Sequence, residues 1–330
     1  MISFRFHVVS ITAVFLAIAI GVVVGSTYVD RAIVDTLQNR IDTVSANLDQ
    51  RKAENDALDD DLSKAESFMN ASADFAVTDR LTDVPVLVVA VRGVDESAVE
   101  ETVRLARRAG GIVPGIAWLE PRWTLEDDND HVALADLVGG RVSDAPEQLW
   151  EDAWIAVAAE VAEPPASEGI RRQDVPVATT APTPVQAPDA PVLLGLASAG
   201  FLNVDSLDDD SVPLVALADS GARVLLVTGS NAAAGLAPMV PVVVQATLEA
   251  GLVVADVYAS DGADGPARGE RLIDSLDEST RGALAIVDAV DLVEGRVAAV
   301  VVLAGAPGAL VGHFGYGPGA DGVMPAWSPP

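Results

Sequence analysis

The 330-residue chain has no cysteine, three histidines, four methionines and few aromatic residues. Each shortage closes off some chemistry. Without cysteine there are no disulfides, no thiolate metal sites and no cysteine nucleophile. His7, His131 and His313 are widely separated in sequence, which leaves little material for a multi-histidine metal centre or for histidine general-base work within one chain. Positive charge is scarce as well: 20 Lys and Arg stand against 49 Asp and Glu, a net charge of −29 with an isoelectric point near 4.1. Such a surface stays soluble and repels nucleic acid and anionic headgroups, so neutral, basic or cationic partners are expected and nucleic acid is not.

Long uncharged runs without proline are also missing, with one exception at residues 8–29, which contain "AIAIGVVVGS"; the run 297–320 is broken by six glycines and two prolines. As a helix this run extends about 33 Å, enough for a hydrocarbon core of about 30 Å, and it exceeds the roughly 7–15 apolar residues of a signal peptide. The small residues of "VGS" leave cleavage as the alternative, but the length favours an anchor. Arg5 and His7 precede the run, and Asp30, Arg31 and Asp35 follow it. The basic-inside bias then predicts a single-pass protein of the cell membrane, with residues 1–29 as cytoplasmic tip and transmembrane helix and the remainder extracytoplasmic. Ala17, Gly21 and Gly25 recur every four residues, the spacing of a close helix–helix contact. A plainer account is that glycine is common in membrane helices generally.

A heptad follows in the stem, residues 30–75. Its a and d positions are Val34, Leu37, Ile41, Val44, Leu48, Arg51, Asn55, Leu58, Leu62, Ala65 and Met69, apolar except for Arg51 and Asn55. This pattern predicts a coiled coil, and an asparagine at an a position fixes register and favours two parallel strands. The expectation is a parallel homodimer; an amphipathic helix folding back onto its own head is the alternative. Extended backwards, the same heptad places Gly21 and Gly25 nearly opposite the seam, so the glycine face and the heptad do not serve one partner through one straight rod.

Residues 80–330 predict an α/β head with a mainly parallel sheet. The apolar run "VPVLVVAVRG" at 84–93, the amphipathic "DESAVEETVRLARRAGG" at 95–111 and "IVPGIAWLE" at 112–120 read as strand, helix, strand, with Pro114 suggesting an edge or a bulge. Helices are expected at 124–140 and 146–162. Six prolines in residues 163–190 predict a flexible surface loop. A second strand–helix–strand unit at 222–230, 232–250 and 251–260 continues the same sheet.

Candidate chemistry is thin, and no catalytic residues emerge. The acidic run 126–131 lacks the spacing of a calcium loop and reads as a solvated helix start. "VTGSNAAAG" at 227–235 reads strand, turn, helix, but it lacks both glycine-rich phosphate-binding patterns. More distinctive is "GHFGYGPGADG" at 312–322, where Phe314 and Tyr316 among glycines suggest a rigid aromatic display for a protein partner, and where His313 is the one weak candidate for a metal ligand.

"MISFRFHVVSITAVFLAIAIGVVVGS" at 1–26, the heptad stem, "IVDAVDLVEGRVAAVVVLAG" at 286–305 and "GALVGHFGYGPGA" at 308–320 together resemble the actinobacterial MctB-like family of copper-transport and copper-homeostasis envelope proteins. The resemblance covers nearly the full chain and is most specific at the N-terminal segment and at "VGHFGYG". It implies an actinobacterial envelope protein. Some relatives are described as a channel in the outer membrane, others as membrane partners in cell separation and wall-hydrolase control. Copper enters only through this resemblance, and no family ligands carry over. The residues themselves argue against a literal channel, because one helix encloses no pore and the head lacks the alternation of barrel strands. Soft copper is held by thiolate and thioether, and Met1, Met69, Met239 and Met324 form no spaced pair. The expectation is a non-enzymatic, dimeric binding or scaffold protein without a cofactor. An accessory role in cell separation, and direct copper binding or a channel component, are the alternatives.

Overall fold

The computed structural model describes residues 4–162, 191–206, 212–229, 232–248, 251–257, 276–306, 310–317 and 319–325. The expected loop at 163–190 lies outside them. The chain divides into two compact units, Met1–Ser67 and Phe68–Pro330.

The described part of the first unit is helical throughout and belongs to α1 (Phe4–Val77). Its opening stretch, Phe4–Gly25, has a mean hydropathy of 2.7 and no buried residue, and is long and apolar enough to cross a membrane. A helix apolar on every side is at home only in apolar surroundings. Farther along, Val34, Leu37, Ile41, Val44, Leu48, Leu58 and Leu62 are exposed. Polar residues between them pair along the helix at i, i+4, as in Gln38 with Asp42, Gln50 with Glu54 and Lys64 with Asp60.

The second unit is a sheet covered on both faces. β1 (Val86–Val91) is buried at every position. Because alternate residues point to opposite faces, a strand apolar throughout must be covered on both. α2 (Glu96–Arg108) begins at Asp95, whose carboxylate accepts from Ser97 N, and ends with Arg107 and Arg108 beside the negative end of its dipole. β2 (Ile116–Leu119) then runs parallel to β1 and completes the expected βαβ unit. Contrary to the edge position that Pro114 suggested, β2 is an interior strand, because β3 (Leu202–Asp205) pairs with its far side antiparallel. Gly115 permits this approach: a Cβ there would lie 2.5 Å from the Asp205 carbonyl oxygen.

On the other side of β1 come β4 (Arg223–Gly229), β5 (Val253–Val257), β6 (Ala285–Val287) and β7 (Gly312–Phe314), all parallel, giving the order β3-β2-β1-β4-β5-β6-β7. One sheet therefore spans both sides of the segment 163–190. Leu87, Val89 and Val91 face a core shared with α3 (Asp128–Val138), α4 (Pro146–Val161), α5 (Val192–Ser198) and α6 (Val240–Thr247). Val86, Val88 and Ala90 face a second core built with α2, α8 (Val293–Gly305) and the end of α1, where Ala73 and Val77 are buried. A short helix, α7 (Glu278–Gly282), precedes β6.

Two helices are shorter than the sequence suggested. The span 124–140 begins as a 3₁₀ turn (Pro121–Thr124), passes through Leu125 at a φ of 53°, and turns helical only after Asp127, which caps α3 by accepting from Asn129 N. The span 232–250 opens with another 3₁₀ turn (Ala234–Met239) containing Pro238, which has no N–H to donate, so α6 starts only at Val240; residues 249–250 lie outside the described residues.

The densest part of the first core is aromatic. Trp123 stacks on Trp154 at 5.6 Å and meets the edge of Phe201 at 5.3 Å, while its Nε1 donates to the Phe201 carbonyl at 2.8 Å. Trp123→Ala removes both contacts and leaves that carbonyl without this donor. It is expected to destabilise the head by about 4 kcal/mol, read as a lower urea midpoint of the full chain in detergent; a loss below about 1 kcal/mol would contradict this account of the core.

Candidate functional site

In an open sheet of this winding, ligands usually sit beyond the carboxyl ends of the strands where the order reverses, here between β1 and β4. At that position the loop after β4 is tied to β1 by a backbone hydrogen bond, while the Arg92 side chain turns to the β2 side. Arg92 follows β1 and lies 4.7 Å above the ring of Trp118. Its Nε and Nη2 donate to Glu120 Oε1 at 3.0 and 2.8 Å, and its carbonyl accepts from Ala233 N at 2.7 Å. Of the candidate anion turn at 227–235, Ser230 and Asn231 lie outside the described residues, and Ala232 N donates to the Gly229 carbonyl, as in an ordinary strand-to-helix turn.

Polar groups gather instead at the carboxyl ends of β4 to β7. Thr228 pairs in register with Asp256, and Asp288 directly follows β6; all three are buried. The Thr228 hydroxyl has no hydrogen-bond partner among the described residues. Asp288 is the centre of this group. Its Oδ2 accepts from His313 Nε2 at 2.5 Å and from Gly317 N at 2.9 Å, and its own amide donates to the Phe314 carbonyl at 2.7 Å. A buried carboxylate is tolerated only when such donors surround it. Gly315, at a φ of 133°, lets the loop close over it, since a Cβ there would come within 2.4 Å of the Asp288 Cβ. Asp321 ties the loop from its far side, accepting from His313 N at 3.0 Å and donating its amide to the His313 carbonyl at 2.7 Å. The arrangement acts as a clamp, in which one buried carboxylate fixes the glycine-rich loop on α8 and β6.

The two aromatics of that loop separate. Phe314 is only 7% exposed and belongs to the second core, so it takes no part in the expected display. Tyr316 is 55% exposed, and its hydroxyl donates to Glu294 Oε1 at 2.6 Å. That hydrogen bond, with some burial and the nearby negative charge, pushes the phenol up to about 12.

The other candidates are dispersed. His131 Nε2 lies 3.0 Å from the Asp144 carbonyl, a contact within the fold. Among the described residues no three His, Asp or Glu side chains are grouped to hold a metal. Gly21 and Gly25 have open space around them, and Asn55 is exposed with the stem residues. Separately, a groove of about 830 Å³ runs between α4 and α6, with an apolar floor including Ile155 and Val242 and an acidic rim of Glu147 and Glu151. Sequence reading passed over Thr228, Asp256 and Asp288. The available signal was an aspartate interrupting an apolar strand at the same point in "VVADV" and "AIVDAV".

Fold and site together define a doubly wound α/β protein that carries one membrane-length apolar helix at its N-terminus and a carboxylate-clamped loop at its C-terminal sheet edge. The chain belongs to the MctB family, described as copper transport outer membrane protein, which it matches over residues 1–325. It is similar to proteins named copper transporter MctB from Mycobacterium bovis and from two strains of Mycobacterium tuberculosis, each 25% identical over 332 residues, covering 98% of this chain and 99% of the relative.

The Tyr316 contact predicts a pH signature. The folded chain holds the phenolic proton above the ordinary value of about 10, so the unfolded chain ionises first. This group's contribution to stability is complete below about pH 10 and is lost as pH rises towards about 12. In an ultraviolet titration of phenolate, one of the three tyrosines should ionise late, and Glu294→Ala, which removes both the acceptor and the charge, should bring it down towards the ordinary value. Identical curves for the two proteins would show that the hydrogen bond does not hold the proton.

Proposed function

We propose that this member of a copper-transport family is a single-pass membrane protein that works as a parallel homodimer, binds partners and carries out no chemical step of its own. The orientation follows the basic flank before the apolar helix, with the head on the extracytoplasmic side. One observation carries the dimer. Val34, Leu37, Ile41, Val44, Leu48, Leu58 and Leu62 recur at heptad spacing and are all exposed in the single chain. An apolar stripe of that length in water calls for a second helix. In this reading, copper transport depends on the protein through the assembly it forms. Its support is the scarcity of soft donors and the engagement of His313 with Asp288.

Because the chain has no cysteine, single substitutions report contacts cleanly. Leu48→Cys and Leu58→Cys are expected to oxidise efficiently to covalent dimer in detergent, whereas Ser45→Cys, off the seam, stays monomeric; equal yields at all three positions would rule out the parallel seam. Titrating Cu(I) and Cu(II) into the full chain tests the second half. Affinity is expected to be the same for the native protein and for a folded His313→Ala variant. A clear loss in that variant would establish direct copper binding and overturn the indirect role.

A further inference from the structure

The last turns of α1 present two exposed phenylalanines. Phe68 is 72% exposed and Phe75 is 87% exposed. They are seven residues apart, so at about 100° per residue they lie on one side of the helix within about 20° of each other. The opposite side is occupied. Ala73 and Val77 are buried in the head's second core, and Met69 and Ala76 pack against it. The final a position of the heptad, Met69, is thus taken up within its own chain. A partner helix following the original phase finds no free apolar surface there.

The sequence supplies another phase. After Leu58 and Leu62 come Ala65, Phe68, Ser72 and Phe75, at successive spacings of four, three, three, four and three residues. The repeated three is a stammer, an insertion that overwinds a coiled coil and carries its seam onto a neighbouring helix face. Beyond it, Phe68 and Phe75 fall seven apart as seam positions, with the small residues Ala65 before them and Ser72 between them. We propose that Phe68 and Phe75 pack against the same residues of a second copy of this chain, so that pairing continues past the stem through a stammer while the original apolar face is given to the head. The 3–4 spacing argues for a helix of equal pitch as the occupant, and the exposed stripe leading up to it argues for this chain's own twin. The inference rests on the dimeric reading above.

The test uses the full chain in detergent, with one cysteine at a time. Leu48→Cys reports on the stem, Phe75→Cys on the new contact, and Thr78→Cys, exposed just past the end of α1 and off the proposed seam, is the control. Phe75→Cys is expected to give roughly tenfold more oxidised dimer than Thr78→Cys, as seam positions do relative to outward ones. The double variant Phe68→Ala, Phe75→Ala should raise the dimer dissociation constant roughly tenfold or more, from lost aromatic burial, with an unchanged circular dichroism spectrum. A Phe75→Cys yield no greater than that of Thr78→Cys, or an unchanged dissociation constant, overturns the inference. If Leu48→Cys still crosslinks in that case, the stem dimer stands and these phenylalanines face something else. Dimer at Phe75→Cys without dimer at Leu48→Cys would keep the contact and overturn the stem seam.

Discussion

The central parallel strands have no wet face. β1 and β5 are buried at all their positions and β4 at all but its first, so the sheet exists only if both sides are roofed by apolar helices. Much of the molecule follows from this requirement. The side facing α3 to α6 is filled by large aromatic and aliphatic groups, including Trp123, Trp154 and Phe201. On the other side α2 and α8 are, among the described residues, the only full helices, and the end of α1 adds Ala73 and Val77 to the cover. A segment that begins as a membrane-length apolar helix therefore ends as part of a soluble core, and its amphipathic face is committed there by packing rather than by heptad phase.

The loop at 312–322 draws its shape from a single buried charge. Asp288 collects donors from His313 and Gly317, and the close passage of Gly315 over its Cβ removes any room for a side chain. The glycines that make the motif conspicuous in sequence thus serve the packing around a carboxylate twenty-odd residues earlier. Of the residues that drew attention, His313 is engaged with that carboxylate, Phe314 is core, and Tyr316 alone is displayed with its hydroxyl tied to Glu294. Beyond the carboxyl ends of β1 and β2 stands the pair of Arg92 and Glu120, which few sequence rules connect across 28 positions.

What was legible in the sequence was whatever depends on short-range pattern. The doubly apolar "VLVVAV" announced a central parallel strand, Asp95 and the Gly110–Gly111 pair bracketed α2, and the uncharged run before residue 30 announced a membrane-length helix. Long-range pairing left weaker traces. β3, reading "LNVD", has little strand character of its own and forms because β2 offers it an open edge, so of the two readings of Pro114, edge or bulge, the edge one fails. Proline in the stretch before α6 shortened a helix that composition alone favoured. The carboxylate clamp was missed for the same reason: Asp288 and His313 become neighbours only when β6 and β7 align.

The folded-back loop has one more effect. β7 is the last strand of the sheet, and a bare terminal strand offers unpaired N–H and C=O groups to any passing chain. Here Asp321 N donates to the His313 carbonyl, Gly315 N donates to the Gly322 carbonyl, and Phe314 bridges to Gly322. The chain thus lays its own tail along the rim and uses up the hydrogen-bonding capacity that would otherwise template cross-β growth. That protection comes from the same glycine-rich segment that encloses Asp288.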